Sequence, residues 1–228
     1  MRKIISLSII LFLVSNSLTA QDQKKKDSIV DVICKTIAEN STDHDTTRVN
    51  IAFEKHLYTF LAAYNETERE EVFTNIYYRL QRNCLEFKKI LQKIIPNQGD
   101  WEMLTQKPVS KVTPQDCKEF KQRRYYYYLE ADGNKTKVEI HEGLWIDTFT
   151  DNTYSKLKFK WLNECEFEIE FIESNNESRK NMSKKGDAYR YSIIERTEKY
   201  YDMVLEVVGT GQLSRFKMYY NRDSINEL

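Results

Sequence analysis

The chain has 228 residues, of which 13% are aromatic and 31% are charged, and its 35 Lys and Arg residues balance its 35 Asp and Glu residues. This neutral balance excludes the basic surface through which proteins bind the phosphates of nucleic acids. Six glycines and three prolines are too few for a collagen-like or an extensively disordered chain.

The first twenty residues have the organisation of a secretory signal peptide. Arg2 and Lys3 precede an apolar run from Ile4 to Val14, and small or modest residues then lead to Ala20. The run is shorter than the roughly 20 apolar residues of a membrane-spanning helix. We therefore expect cleavage after Ala20, export to the periplasm or the extracellular space, and no stable membrane insertion of the mature chain.

Residues 27–95 have the hydrophobic spacing of amphipathic helices and predict a small three-helix module. Thr67, with Glu70 three residues later, has the capping-box pattern at the start of the third helix. Cys34 and Cys84 lie on the apolar faces of the first and third helices. A disulfide between them would tie these two helices together.

Pro96 ends the helical pattern, and residues 96–114 predict a linker to a second module over residues 115–222. In that module apolar and polar residues alternate, which predicts antiparallel strands. Consecutive hairpins favour a meander of about seven or eight strands, either a curled sheet or an open, lipocalin-like barrel. The predicted fold class of the whole chain is therefore α+β.

Four consecutive tyrosines precede the hairpin signal Asp132-Gly133. A two-residue turn there pairs Tyr127 with Val138 in the core and leaves Tyr126 and Tyr128 on the other face. Ordinary strand packing is the simpler interpretation of the run. A stacking platform for a ligand is the alternative, for which only Tyr126 and Tyr128 are available.

The clearest hairpin lies in the stretch YSKLKFKWLNECEFEIEFIE. A three-residue loop, Leu162–Glu164, pairs Trp161 with Cys165 and Phe159 with Phe167, and it places lysines opposite glutamates on the other face. Because a shift by one residue would disturb both faces, we interpret these charges as a device that fixes the strand register.

Two further hairpins are predicted near the end of the chain. The first pairs Tyr191 with Leu205, and the second turns at Thr210-Gly211 and sets Leu205 against Phe216. The stretch SNNESRKNMSKKG, which precedes both, has no apolar periodicity and is expected to be a loop.

The four cysteines allow three pairings, and an oxidising compartment favours their being paired. The stretches CKEFKQRRYYY, KFKWLNECEFEIEF and SKKGDAYRYSIIE resemble an uncharacterised family of small secreted Bacteroidetes proteins with a W-x-x-x-C pattern, filled here by Trp161 and Cys165. That resemblance implies a bond between Cys117 and Cys165. The stretch from VICKTIAEN to NCLEFKKILQKI is similar to another secreted Bacteroidetes module, which is helical, has paired cysteines and has no known function.

Motifs of hydrolases, metalloproteases and nucleotide-binding proteins are absent from the sequence. His44 lies between Asp43 and Asp45, a pattern open to a metal-binding interpretation, although polar residues before a helix more often serve only to solvate its start. CxxC and Cys/His clusters with metal-ligand spacing are absent. We expect no metal, no cofactor and no catalysis.

The sequence therefore predicts an exported, non-catalytic accessory protein that binds a small apolar ligand in its β-module. The candidate residues that line this site are Tyr126, Tyr128, Trp145 and Phe149. The alternative is a structural or protein–protein interaction module of the periplasm or cell envelope, without a small ligand. A hydrolase that acts through paired carboxylates is a third hypothesis.

Overall fold

The computed structural model describes residues 2–95 and 97–220, with side chains from Gln21 onward. The chain divides into two compact units, Met1–Lys88 and Lys89–Leu228, which we call the helical unit and the barrel unit. The side chains of the predicted signal peptide, the predicted helix end at Pro96 and the last two residues of the predicted module over 115–222 lie outside the described residues.

Helices form where the sequence has the 3.6-residue apolar spacing. Their bounds in chain order are α1 Arg2–Glu39, α2 Asp45–Ala52, a π-helical turn Phe53–Leu57, α3 Tyr58–Leu61, α4 Glu66–Asn83 and α5 Leu85–Ile94. The second predicted helix thus contains a π-helical turn and the third is divided in two, so the three-helix module is not confirmed in the predicted form. No helix within residues 2–95 and 97–220 has the length and apolar character needed to cross a membrane.

The start and end of α4 differ from the prediction for local reasons. The Asn65 side chain accepts a hydrogen bond from the backbone N–H of Glu68, whose carboxylate accepts one from the backbone N–H of Asn65. This capping box forms in place of the predicted one at Thr67, because Asn is at least as good an N-cap as Thr. The helix ends where Cys84 leaves the helical region, with ψ at 102°.

The core of the helical unit surrounds a disulfide. Cys34 on α1 is bonded to Cys84, which confirms the predicted tie between the two cysteines. The fully or nearly fully buried apolar residues of this unit include Val30, Ile33, Ile37, Leu57, Val72, Ile76, Leu80 and Phe87. Most of the apolar stripe that the sequence shows therefore packs in the core, although Phe73 and Ile94, which belong to the same predicted stripe, are exposed.

The barrel unit contains one antiparallel sheet of nine strands. The bounds are β1 Glu102–Leu104, β2 Tyr125–Leu129, β3 Lys135–His141, β4 Leu144–Thr148, β5 Tyr154–Trp161, β6 Glu166–Ser174, β7 Ala188–Arg196, β8 Tyr200–Val207 and β9 Gln212–Tyr219, with α6 Pro114–Gln122 before β2 and α7 Glu177–Met182 after β6. Strands β2 to β9 form a meander, and β9 pairs back with β2. Eight strands therefore close into a barrel, where the sequence predicted an open barrel or a curled sheet.

Closure of the barrel depends on a short seam between β2 and β9. These two strands pair at Tyr127 and Tyr219, while β1 pairs with the first half of β9. Trp101, just before β1, stacks on Phe216 with ring centroids 4.4 Å apart and donates its indole N–H to the Leu129 carbonyl. The predicted linker therefore contributes a strand and the ring of Trp101, which packs against the core. The sequence did not predict this strand because three residues are too few to show alternation.

The register of the first hairpin differs from the prediction by one residue. Its loop has three residues, Ala131–Gly133, and Gly133 adopts a positive φ of 82°, as in a turn that ends in a bulge. Tyr126 consequently pairs with Val138. Since a shift by one residue exchanges the two faces, Tyr126 and Tyr128 lie in the core and the other two tyrosines face outward, the reverse of the prediction.

In the central hairpin the register differs by two residues and the faces are as predicted. Trp161 pairs with Phe167 rather than with Cys165. The Asn163 side chain accepts a hydrogen bond from the backbone N–H of Cys165 at 2.9 Å, which moves the turn one residue along the chain. Lysines still meet glutamates on the outer face, because a shift by two residues preserves side-chain direction.

In the last two hairpins the strand faces are also as predicted. Tyr191 pairs with Leu205, as predicted. Leu205 pairs with Ser214 rather than with Phe216, which keeps the faces but corrects the register by two residues. The stretch predicted as a loop before these hairpins contains the short helix α7.

Candidate binding site

The antiparallel meander gives the barrel two ends. Helix α6 leads into β2, and helix α7 follows β6. Because successive strands alternate in direction, the start of β2 and the end of β6 lie at opposite ends of the barrel. We call them the α6 end and the α7 end.

The α6 end is closed by covalent and apolar contacts. Cys117 on α6 is bonded to Cys165, which confirms the pairing implied by the family resemblance. The Phe120 ring stacks on Tyr126 at a centroid distance of 4.6 Å, and the Tyr126 hydroxyl donates to the Phe120 carbonyl. Outside this core, Arg196 forms ion pairs with two carboxylates of α6. This end has the features of a structural plug.

The α7 end has a different interior. Alternation along each strand turns polar side chains toward the barrel axis here, whereas aromatic and aliphatic side chains fill the rest of the interior. The buried polar residues at the α7 ends of the strands are Thr136, Asp147, Ser155, Gln212 and Ser214. Burying polar groups costs free energy unless they have partners, and this layer contains such partners: the Thr136 hydroxyl donates to Glu130 and the Ser155 hydroxyl donates to the Ser174 hydroxyl.

Asp147 is the ionisable residue within this layer. Its side chain accepts a hydrogen bond of 2.8 Å from the indole Nε1–H of Trp145, and only 7% of the residue is exposed. Burial raises the pKa of Asp147 to about 7, although the hydrogen bond from Trp145 and the charge of Arg179 oppose this shift. Near neutral pH the carboxyl group can therefore exist in either protonation state inside the barrel.

Helix α7 places a cation over this end. The Arg179 guanidinium donates to the Glu130 carboxylate at 2.5 Å, and Glu130 also accepts a hydrogen bond of 2.7 Å from the Thr136 hydroxyl. The Arg179 side chain is 27% exposed. Burial alone would lower the pKa of Arg179, but the charge of Glu130, together with Tyr128 and Asp147, raises it above its ordinary value. The guanidinium is charged at every accessible pH.

Aromatic rings surround these charges. The Arg179 guanidinium carbon lies 5.3 Å from the centre of the Phe149 ring, within the range of a cation–π contact. Below it, the Trp145 ring contacts the Tyr191 ring at a centroid distance of 5.4 Å. The α7 end thus combines carboxylates, a hydrogen-bond donor and aromatic faces, a combination that can orient a small polar or charged group.

The structure brings two of the four predicted ligand-lining residues, Tyr128 and Phe149, to the α7 end. Trp145 lies near the start of β4, toward the α6 end and against Phe167, and its indole N–H points to Asp147. Tyr126 packs at the α6 end. Trp145, Tyr128 and Tyr126 are buried, and Phe149 is half-buried. Whether these residues line a ligand remains a prediction.

Sequence reasoning missed the charged residues of this site. Asp147 lies two positions after Trp145 in one strand, so both point to the same face, and this spacing was a usable signal. Glu130 and Arg179 lie in connecting segments without periodicity, and no sequence pattern links them. Among the residues that the structure describes, no group of three or more His, Cys, Asp or Glu side chains is placed to hold a metal ion.

Comparison with known proteins gives no relative for this architecture. No family model matches the chain, and no match occurs among the curated proteins or the solved structures. The resemblance to secreted Bacteroidetes proteins therefore stays a prediction.

Proposed function

We propose that this protein is an exported, non-catalytic binding protein that receives a small ligand at the α7 end of its barrel. The observation that carries the proposal is the layer of buried polar residues at that end. Asp147 lies inside it, bonded to the Trp145 indole, with Arg179 and Glu130 above it. Ionisable groups with strongly shifted pKa values are concentrated at functional sites.

The packing of the barrel restricts where a ligand can bind. Rings such as Phe167 and Tyr191, stacked at a centroid distance of 5.0 Å, fill the middle of the barrel. An apolar ligand deep in the interior would have to displace these rings. A ligand that binds under α7 would have to displace only a short polar helix.

Export is supported by the two disulfides, one in each unit. Disulfides persist in oxidising compartments and are rare in the reducing cytosol. Together with the signal-like first twenty residues, they favour the periplasm or the extracellular space.

The three tryptophans of the chain provide a direct test. Trp145 donates to Asp147 at the α7 end, whereas Trp161 contacts Phe120 at the α6 end, at a centroid distance of 5.9 Å. We would record proton–nitrogen NMR spectra of the purified protein and assign the indole signals with single Trp→Phe variants. The probes are four small molecules with a phenyl body, namely phenethylamine, phenylguanidine, phenethyl alcohol and hydrocinnamate.

The proposal predicts that at least one probe shifts the Trp145 indole signal in a saturable manner and leaves the Trp161 signal in place. It would be overturned if none of the four probes moved the Trp145 signal, or if both signals moved together without saturation. The Trp161 signal serves as the internal control because it reports on the opposite end of the same barrel.

The filled interior also favours a second candidate, a protein–protein interaction module without a small ligand. In that case the buried ring cluster around Phe167 serves stability alone, and an outer face of the barrel binds the partner. A silent Trp145 signal in the probe experiment, with a partner protein that alters outer-face amide signals, would support this candidate.

A further inference from the structure

Arg179 fills the α7 end from an element that is not part of the barrel wall. Helix α7 has six residues and connects β6 to β7. Its one buried residue, Asn181, is polar, and its apolar residue, Met182, is only half-buried. The helix therefore contributes little apolar burial, and its position depends on side-chain hydrogen bonds and on the ion pair of Arg179 with Glu130.

The hydrogen bonds that hold the α7 segment are of a kind that water can replace. The Asn176 amide donates to the Thr153 hydroxyl at 2.8 Å, and the Ser183 hydroxyl bonds to the Tyr189 hydroxyl. Exchange of such bonds for bonds to water costs only about 0.5–1.5 kcal/mol each. Movement of α7 away from the barrel breaks these bonds and the ion pair of Arg179 with Glu130, but it breaks no covalent bond, whereas the α6 end is held by a disulfide.

The surroundings of the Arg179 guanidinium suit a cation in general. Glu130 provides a carboxylate at 2.5 Å, Phe149 provides a ring face at 5.3 Å, and Asp147 acts on Arg179 electrostatically from below. Planar cations bind carboxylates through paired hydrogen bonds and stack on aromatic faces. An anion would meet two carboxylates at this position, and a neutral molecule would leave both without a charged partner.

We propose that the ligand of this site is an organic cation, an amine or a guanidinium on a small apolar body, and that Arg179 occupies its place until the ligand displaces α7. This inference rests on the proposed function and names the ligand class. The ligand cation then lies between Glu130, Phe149 and Asp147, and its apolar body meets the rings of Trp145 and Tyr191.

The four phenyl probes, used at about pH 8 so that Asp147 is ionised, separate this inference from the proposed function. The inference predicts that phenylguanidine and phenethylamine shift the Trp145 signal with a Kd at least about tenfold lower than that of phenethyl alcohol, and that hydrocinnamate does not bind. Equal or tighter binding of the alcohol or the carboxylate would overturn the inference that the ligand is a cation, but would leave the proposed binding site in place. No binding of any probe would overturn the proposed function itself.

The displacement of Arg179 has its own test. Arg179→Gln removes the internal competitor and is expected to tighten phenylguanidine binding by about tenfold, because the binding-competent state no longer has to compete with a bound side chain. Arg179→Lys keeps a competing cation and should stay close to the wild type. Lys180→Gln, on the same helix but paired with Glu177 at the surface, is the matched control and should have no effect.

Two results would overturn the inference that the ligand displaces the Arg179 side chain. Weaker phenylguanidine binding by Arg179→Gln would make Arg179 a ligand contact instead of a competitor. Unchanged binding by Arg179→Gln would show that the ligand does not enter its place. The Trp161 signal in each variant confirms that the α6 end is folded, so a loss of binding through misfolding is recognised as such.

Discussion

The two ends of the barrel differ in the kinds of side chain that close them. At the α6 end, Phe120 is almost fully buried among aromatic rings, and Cys117–Cys165 fastens its helix to the barrel. At the α7 end, a carboxyl group lies inside the barrel, and a helix without a disulfide covers it. The α6 end is closed mainly by aromatic rings and a disulfide, with the buried Arg123 over the Tyr220 ring, whereas the α7 end has a layer of buried polar side chains.

If the α7 end binds a ligand, as proposed above, this difference would let one small barrel combine stability with exchange of that ligand. Apolar burial and a disulfide make the α6 end costly to open, since each is worth several kcal/mol. Buried polar groups such as Asp147 reduce stability at the α7 end, and proteins keep such groups mainly where function needs them. The following predictions test whether stability is divided between the two ends in this way.

The largest effect is expected from removing the aromatic plug. Phe120→Ala should lower the free energy of unfolding by about 3–5 kcal/mol, because Phe120 is 1% exposed and its loss leaves a cavity among four aromatic rings. Phe149→Ala at the other end is the matched variant and should cost at most about 1 kcal/mol. Urea denaturation followed by tryptophan fluorescence measures both. Equal costs would contradict the proposed division between the ends.

The second effect is pH-dependent and arises from Asp147. Its pKa is about 7 in the folded protein, against 3.8 for an aspartate in an unfolded chain. The folded state therefore binds the proton of Asp147 more tightly, so the contribution of Asp147 to stability is fully present below pH 3.8 and is lost as the pH rises to about 7. Asp147→Asn has no carboxyl group at this position, so its contribution does not change with pH. The free energy of unfolding of this variant, relative to that of the wild type, should rise by up to about 4 kcal/mol across that range.

Urea denaturation at several pH values between 4 and 8 measures this rise. Asp151→Asn, in the exposed turn after β4, is the control, because hydrogen bonds from Thr153 lower the pKa of Asp151. The contribution of Asp151 to stability is therefore lost only as the pH falls below 3.8, so the difference between Asp151→Asn and the wild type should stay constant between pH 4 and 8. A constant difference between Asp147→Asn and the wild type at all pH values would show that Asp147 is not buried as described.

The smallest of the three effects is expected from the α6-end disulfide. Replacing Cys117 and Cys165 by serine should lower the free energy of unfolding by about 2–4 kcal/mol and leave the Trp145 indole signal unchanged. Hydrogen exchange should accelerate at amides around α6 and not around α7. An unchanged melting temperature, or faster exchange confined to α7, would mean that the bond does not hold the α6 end.

From the sequence, the face on which each strand residue lies could be predicted better than the residue with which it pairs on the neighbouring strand. In the central hairpin, charged and aromatic residues alternate over many positions, so any even shift satisfies both faces, and Trp161 pairs two residues away from the predicted position. In the first hairpin, the tyrosine run has the same residue on both faces. The pattern there contained no information on direction, and a single extra loop residue reversed Tyr126.

The candidate site was predicted only where it lies on strands. Trp145 and Phe149 came from the sequence of β4 and its continuation, and Asp147 lies between them on the same strand. Arg179 and Glu130 meet across 49 residues of chain, and only closure of the barrel brings them together. Such a pair has no local pattern, because its distance is set by the sheet and not by the spacing of the residues.

The positions of the paired cysteines along the chain bear on how the disulfides can form. Each bond joins a cysteine to the next one along the chain, Cys34 to Cys84 and Cys117 to Cys165, so the two covalent loops do not overlap. If the chain is exported N-terminus first, as proposed above, each thiol would meet its native partner before any later thiol is available. An oxidant alone would then complete the protein, without an isomerase to exchange wrongly formed bonds.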